Sequence, residues 1–168
     1  SFKFFKNKSI IKNYDIEKNY FKRLNKNLFL VFTGKTNFSR EIVLKFSPLL
    51  TYEKKKIIKK ILTHVQEAKT IIKNRELDSF GYLLDETWQQ KKQIYNGITN
   101  STIDYYYNLG KKSGALGGKL LGAGGRGFIL FYVSESNHRR FLKNFKKNTV
   151  LPFKFTNNCS KVIINSNK

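Results

Sequence analysis

The sequence predicts an α+β domain: an antiparallel sheet with helices packed on one face. Three observations predict it. Short apolar β-type runs lie towards both ends of the chain. The middle, from Thr51 to about Gly110, repeats apolar residues at three- and four-residue steps. A glycine-dense bend then joins two apolar runs with a hairpin-length connection. Strands and helices alternating in this way form layers around one core.

Taken in order, Ser1 to Tyr14 alternates aromatic and basic residues (Phe2-Lys3-Phe4-Phe5-Lys6) before Ile10-Ile11, and reads as one or two strands with little protection of their own. Leu28-Phe-Leu-Val-Phe32 is a β-type run that ends at the turn Thr33-Gly34. Phe38 to Phe46 is expected to be a short helix, stopped before Pro48. From Thr51 the pattern is helical: Ile57, Ile58, Ile61, Leu62, Val65, Ala68, Ile71 and Ile72 line one face, with Lys54-Lys-Lys56 and Lys59-Lys60 mainly opposite. Leu77, Phe80, Leu83, Leu84 and Trp88 mark a second helix, antiparallel to the first, with Trp88 in the core. Gly97 breaks that pattern, and Ser101-Thr-Ile-Asp104 has the form of a capping box opening a third helix. Leu116 to Leu121 and Gly127 to Val133 are two strands around Gly122-Ala-Gly-Gly-Arg126. A helix over Asn137 to Lys147 follows, then strands over Val150 to Phe155 and Lys161 to Ile164 joined at Asn157-Asn158.

Composition narrows the classes. With 33 Lys+Arg against 11 Asp+Glu the formal charge is +22, which favours polyanion partners. The lysines are spread among many asparagines, which equally describes a solvated basic surface. Cys159 is the only cysteine, so no intramolecular disulfide forms, and it has no activating neighbour except Lys161. His64 and His138 stand far apart and outside any metal-ligand spacing, and both read as surface or packing residues. No apolar run approaches the ~20 residues of a membrane span, and the basic N-terminus lacks a signal peptide's apolar stretch, so the cytoplasm is the expected compartment. There is no methionine anywhere, so the sequence is expected to start inside something longer, or to have had its initiator removed or left out.

Seven of the 11 glycines fall between Gly114 and Gly127, immediately before Phe128-Ile-Leu-Phe-Tyr-Val133. Glycine costs backbone entropy, so this density marks positive φ or close backbone approach, to a phosphate, to another strand, or to both. Gly114-Ala-Leu-Gly-Gly-Lys-Leu-Leu-Gly-Ala-Gly-Gly-Arg-Gly127 resembles the C-terminal glycine motif of the GHMP kinases, the galactokinase, homoserine, mevalonate and phosphomevalonate kinase superfamily. Leu84-Asp-Glu-Thr-Trp88 with Lys91-Lys92, then Ile98-Thr-Asn100 and Ile103-Asp104, precede it at the family's spacing. Val150-Leu-Pro-Phe153 also fits, and Phe32-Thr-Gly34 fits less specifically. The combination is similar to the heptose 7-phosphate kinase branch, with fucokinase-like sugar kinases beside it.

That resemblance implies a ferredoxin-like C-terminal domain over residues 35–168, with residues 1–34 a stub of the last strands of an N-terminal domain. It implies a sugar-phosphate kinase using ATP and Mg²⁺ on an anomeric hydroxyl, in the supply of lipopolysaccharide or capsule precursors. Its substrates would be a sugar phosphate and a nucleotide, and its partner the missing N-terminal half. Lys119, Gly122, Ala123, Gly124, Gly125, Arg126 and Gly127 would line the ATP and substrate site, with main-chain N–H groups as donors. A tight hairpin without any ligand is the alternative for these glycines.

The sequence departs from the family pattern in three places. No Gly-Leu-Ser-Ser-Ser phosphate loop is present, and no segment resembles the one bearing the catalytic aspartate, so this chain alone is expected to be inactive. Arg126 stands where relatives usually carry glycine. Positive φ there would cost arginine about 1 kcal/mol or more, or else the guanidinium reaches an incoming phosphate. Asn37 and Ser39-Arg40 stand in place of the family's arginine and Ala-Ser. Two other readings remain beside the kinase: an inactive truncated remnant, and a basic nucleic-acid-binding module, motivated by the charge but without any RRM, KH or helix-turn-helix signature.

Overall fold

The structure, a computed structural model, describes residues 2–4, 7–11, 16–34, 44, 48, 51–145, 149–151 and 153–156. The expected helix over 38–46, the substitutions at Asn37 and Ser39-Arg40, the Asn157-Asn158 turn, Cys159 and the strand over 161–164 lie outside the described residues.

β1 (Phe2–Phe4) and β2 (Ser9–Ile11) form a two-stranded antiparallel ladder with Phe2 opposite Ile11. Helix α1 (Lys18–Lys26) follows, an element the sequence reading leaves blank; it buries only Tyr20 and Leu24, one turn apart. Next come β3 (Leu28–Phe32), α2 (Tyr52–Asn74), α3 (Leu77–Lys92), α4 (Ser101–Lys112), β4 (Ala115–Leu120), β5 (Phe128–Val133), α5 (His138–Asn144) and β6 (Val150–Leu151). The last four strands make one sheet in the order β4-β5-β3-β6, every neighbour antiparallel. Strand, helices, strand, strand, helix, strand is the ferredoxin-like succession, and the fold is the α+β class that the sequence predicts. β3, which a division at residue 34 would leave in the first segment, is hydrogen-bonded to both β5 and β6.

Alternation along β5 sorts the core. Ile129, Phe131 and Val133 point into the main cluster, with Val31, Trp88, Ile103, Tyr107 and Phe141. Each fully buried apolar side chain of this kind contributes roughly 1.5–3 kcal/mol. Tyr132 points the other way, into a smaller cluster with Tyr20, Leu24, Leu28 and Leu77. Helix α3 serves both clusters, Leu77 in one and Trp88 in the other. It lies close along β4 because Gly81 and Gly117 meet there: a Cβ on Gly117 would come within 2.0 Å of the Gly81 carbonyl oxygen.

The apolar face expected of α2 is narrower than its sequence suggests. Leu62 and Val65 are exposed, while His64 is buried. The helix rests on α3 along a thin seam, and His64 earns its place through a hydrogen bond. Its Nδ1 lies 2.8 Å from Thr87 Oγ1, whose own proton goes to the Leu83 carbonyl, so the ring donates from Nδ1. His138, half-buried, bonds the Val133 carbonyl and meets the Phe29 ring edge-on, so both histidines are packing residues.

Candidate anion-binding site at the glycine loop

The residues between β4 and β5 are held at three points by elements distant in sequence. Thr33, at the end of β3, clamps the last: its amide and its hydroxyl both donate to the Gly127 carbonyl, at 2.9 and 2.8 Å, and its Oγ1 accepts from the Gly127 amide at 3.1 Å. The middle is held by the turn before α4. The Gly125 amide donates to the Ile98 carbonyl at 2.9 Å, and Asn100 Nδ2 donates to the Gly125 carbonyl at 2.7 Å. The start is held by Lys91 on α3, whose ammonium donates to the Leu120 carbonyl at 3.3 Å and the Gly122 carbonyl at 2.5 Å.

Asn100 does a second job. Its Oδ1 accepts from the Ile103 amide at 3.1 Å, which makes it the N-cap of α4. The expected capping box is therefore displaced by one residue: Ser101 is the first helical residue, and Asp104 accepts from Thr99 Oγ1 at 2.7 Å instead of closing back on Ser101. The extended backbone of Asn100, φ −159° and ψ 173°, is what lets one amide side chain reach both the helix and the loop.

These tethers shape a cavity of about 270 Å³ lined by Thr33, Gly34, Asn100, Ser101, Thr102, Ile103, Gly125 and Arg126. It opens on the first turn of α4, where the Ile103 and Asp104 amides are taken up by Asn100, and the N–H groups of Ser101 and Thr102 with the positive end of the helix dipole favour an anion. Arg126 is exposed at its rim. Its φ is not positive: among the described residues Arg75 is the one non-glycine that has a positive φ. Arginine at position 126 thus carries no backbone strain, and its guanidinium is available to a ligand.

The seven candidate residues separate into groups. Gly125 and Arg126 reach the cavity. Gly124 backs it, lying so near Ile98 that a Cβ would come 2.8 Å from the Ile98 Cα. Gly127 turns the chain into β5 with φ 111°. Gly122, Ala123 and Lys119 stand at the other end of the loop, beside Lys91, and do not line the cavity.

Burial pushes the Lys91 ammonium down to about 8, with the charge of Lys119 adding to the effect. Burial likewise holds Lys119 below the ordinary lysine range. Asp85 is pushed up by burial but held below the usual carboxylate range by hydrogen bonds from Tyr107, Gln89 and Lys111 and by the Lys111 charge. It joins α3 to α4 through Tyr107 and Lys111, the latter at 3.0 Å, and Lys111 also donates to the Leu116 carbonyl at 2.6 Å. This cluster braces the helices behind β4. Thr33, Asn100 and Lys91 hold the loop, and the sequence analysis gives none of them a role. All three sit inside segments that carry the resemblance, and that was the available signal.

Elsewhere, a cavity of about 610 Å³ between α1 and α2 is walled largely by apolar groups, among them Ile16, Val65 and Ile72. No group of three His, Cys, Asp or Glu among the described residues is placed to hold a metal ion. No described helix is long and apolar enough to cross a membrane.

No protein-family model matches the chain. In sequence it is similar to the D-glycero-alpha-D-manno-heptose 7-phosphate kinase of Campylobacter jejuni, 30% identical over 83 residues, which are 48% of this chain and 24% of that protein. Among solved structures it is similar to the Methanococcus jannaschii mevalonate kinase, with TM-score 0.64 and 26% identity, covering 86% of this chain and 43% of that one. The chain is a relative of the GHMP-superfamily kinases. It matches a C-terminal fragment of such a kinase near the heptose branch. A D-glycero-D-manno-heptose 1-phosphate kinase from Bacteroides thetaiotaomicron shares the fold, with TM-score 0.59 and 20% identity over 89% of this chain and 39% of that one. The chain spans about a quarter of the curated GHMP relative and under half of the solved GHMP structures.

Proposed function

We propose that this chain is the C-terminal portion of an ATP-dependent sugar-phosphate kinase of the GHMP superfamily, resembling the heptose 7-phosphate kinases. In this reading residues 122–127 and the first turn of α4 form one wall of the active-site cleft, and the phosphate loop of an N-terminal half forms the other. The β1–β2 hairpin would be the end of that half. The observation that carries the reading is the cavity where Thr33, the Asn100-capped start of α4, Gly125 and Arg126 converge.

The reaction is transfer of the ATP γ-phosphoryl group to the anomeric hydroxyl oxygen of the sugar. The new O–P bond forms there as the bond to the bridging oxygen of ADP breaks, ADP takes the electron pair, and the hydroxyl proton is released to solvent. Such transfer depends on positioning and on stabilising the charge of the passing phosphoryl group. This chain's contribution is the N–H groups of the α4 first turn and the Arg126 guanidinium, fixed because Asn100 and Thr33 hold the loop still. Among the described residues no group of three His, Cys, Asp or Glu is placed to hold a metal ion, and no step here is assigned to Mg²⁺.

The test has two arms. The chain alone, mixed with ATP, Mg²⁺ and a panel of sugar phosphates, should give no product, because it lacks the serine-rich phosphate loop. Joined to an N-terminal half that carries that loop, it should give a sugar bisphosphate whose new anomeric phosphate is visible by ³¹P NMR, in amounts lowered by Arg126→Ala. A folded, joined protein that forms no product would overturn the kinase reading in favour of an inactive remnant.

A further inference from the structure

Lys119 is a half-buried cation that makes no hydrogen bond or ion pair with any described residue. It stands on β4 opposite Leu130 of β5. Phe128, two residues from Leu130, shares that face of the sheet, and diagonal neighbours of this kind lie within reach of a long side chain. Phe128 is in turn paired with Phe32 of β3, ring centroids 5.0 Å apart. Both rings are half-buried and belong to neither apolar cluster. Lys91, whose ammonium donates to the carbonyl of Leu120, the residue next to Lys119, is near enough for the two charges to repel.

Withdrawing a cation from water without a partner is costly, and setting a second cation beside it costs more. No described carboxylate is paired with either charge; the acidic residues of α3 are engaged elsewhere, Asp78 with Tyr132 and Ser134, Asp85 with Lys111 and Glu86 with Lys60. An arrangement of this kind is completed by a bound anion. We infer that Lys119 and Lys91, with the Phe128–Phe32 pair beside them, form the subsite for the phosphomonoester group of a sugar phosphate, the dianion meeting both ammonium groups and the sugar ring lying on the aromatic pair. The choice of a sugar phosphate rests on the kinase reading above; the anion subsite rests on the lysines and rings.

The subsite is read by acetylating the whole chain with dilute acetic anhydride at pH 8 and following each lysine by mass spectrometry. Mannose 6-phosphate at about ten times its dissociation constant should slow acetylation of Lys91 and Lys119 by about tenfold, the ratio of total to unoccupied sites. The exposed lysines of α2 should be unaffected, inorganic phosphate should protect the same two residues less, and mannose should protect neither. Lys119→Gln should abolish protection at Lys91 while the thermal melt stays in place. Absence of protection at Lys119, or equal protection of all lysines, overturns the inference, and the wild-type measurement decides it even if the variant does not fold. Protection without turnover by the joined enzyme sinks the kinase reading alone; turnover with Lys119 unprotected sinks this subsite alone.

Discussion

The glycine-dense segment is two regions that resemble each other only in composition. Gly117 lies within a strand, and a side chain there would collide with the backbone of α3. Gly127 has open space around the position of a Cβ, yet its φ of 111° lies where L-residues rarely go. The first glycine is present because something else occupies the space; the second is present because the chain must turn. The packing region thus carries stability, and the bending region carries the site, with Lys91 joining them at the Leu120 and Gly122 carbonyls.

The sharpest way to break this contrast is Gly117→Ala. Its methyl group would sit 2.0 Å from the Gly81 oxygen, so α3 must move away from β4, and a loss of about 3 kcal/mol or more is expected in urea unfolding. A midpoint like that of the wild type would show that the close approach is not obligatory. Gly127→Ala meets nothing and should cost only the strain of its backbone, about 1–3 kcal/mol by the same measurement. Asn100→Ala removes the α4 cap and the tether to Gly125 together, and should cost about 1–2 kcal/mol with faster amide exchange confined to the loop and the first turn of α4.

The junction should also show a pH effect. The Lys91 ammonium is lowered to about 8 in the folded chain from 10.5. Between those values the unfolded chain holds a proton that the folded chain has released, so unfolding takes up a proton and stability rises with pH. Above the ordinary tyrosine value of 10.0 the sign reverses, because burial raises Tyr107 and Tyr132 and the unfolded state then loses protons first. Melting temperature should therefore climb from pH 8 towards 10 and fall beyond it, and Lys91→Met should flatten the climb. The smallest effect expected is that of Arg126→Ala on stability, within about 0.5 kcal/mol, since its guanidinium is exposed and its φ unstrained. A larger loss would mean that Arg126 braces the loop rather than facing a ligand.

Much of the architecture is legible in the residue pattern. Ile129, Phe131 and Val133 alternate, Leu77, Leu84 and Trp88 recur at helical steps, and the glycines between β4 and β5 announce a bend. Helix α1 is not legible, because two buried residues among lysines and asparagines make a faint stripe whose partners, Leu28, Leu77 and Tyr132, come from elsewhere in the sequence. The cap at Asn100 is missed by one residue because Ser101 and Asp104 satisfy the local rule equally well; the Gly125 carbonyl decides between them. Arg126 reads as strained only while its backbone is guessed from its neighbours.

Local pattern by itself determined the α+β class, the presence of β4 and β5 to within a residue at their ends and the location of the bend, since these follow from side-chain periodicity and from the conformational freedom of glycine. Tertiary structure alone decided which distant atoms hold that bend: the Thr33 clamp, the Asn100 bridge and the Lys91 tether. A hydrogen bond between segments far apart in the chain leaves no periodic trace, and so the cavity and the paired lysines emerge only when the sheet brings those segments together.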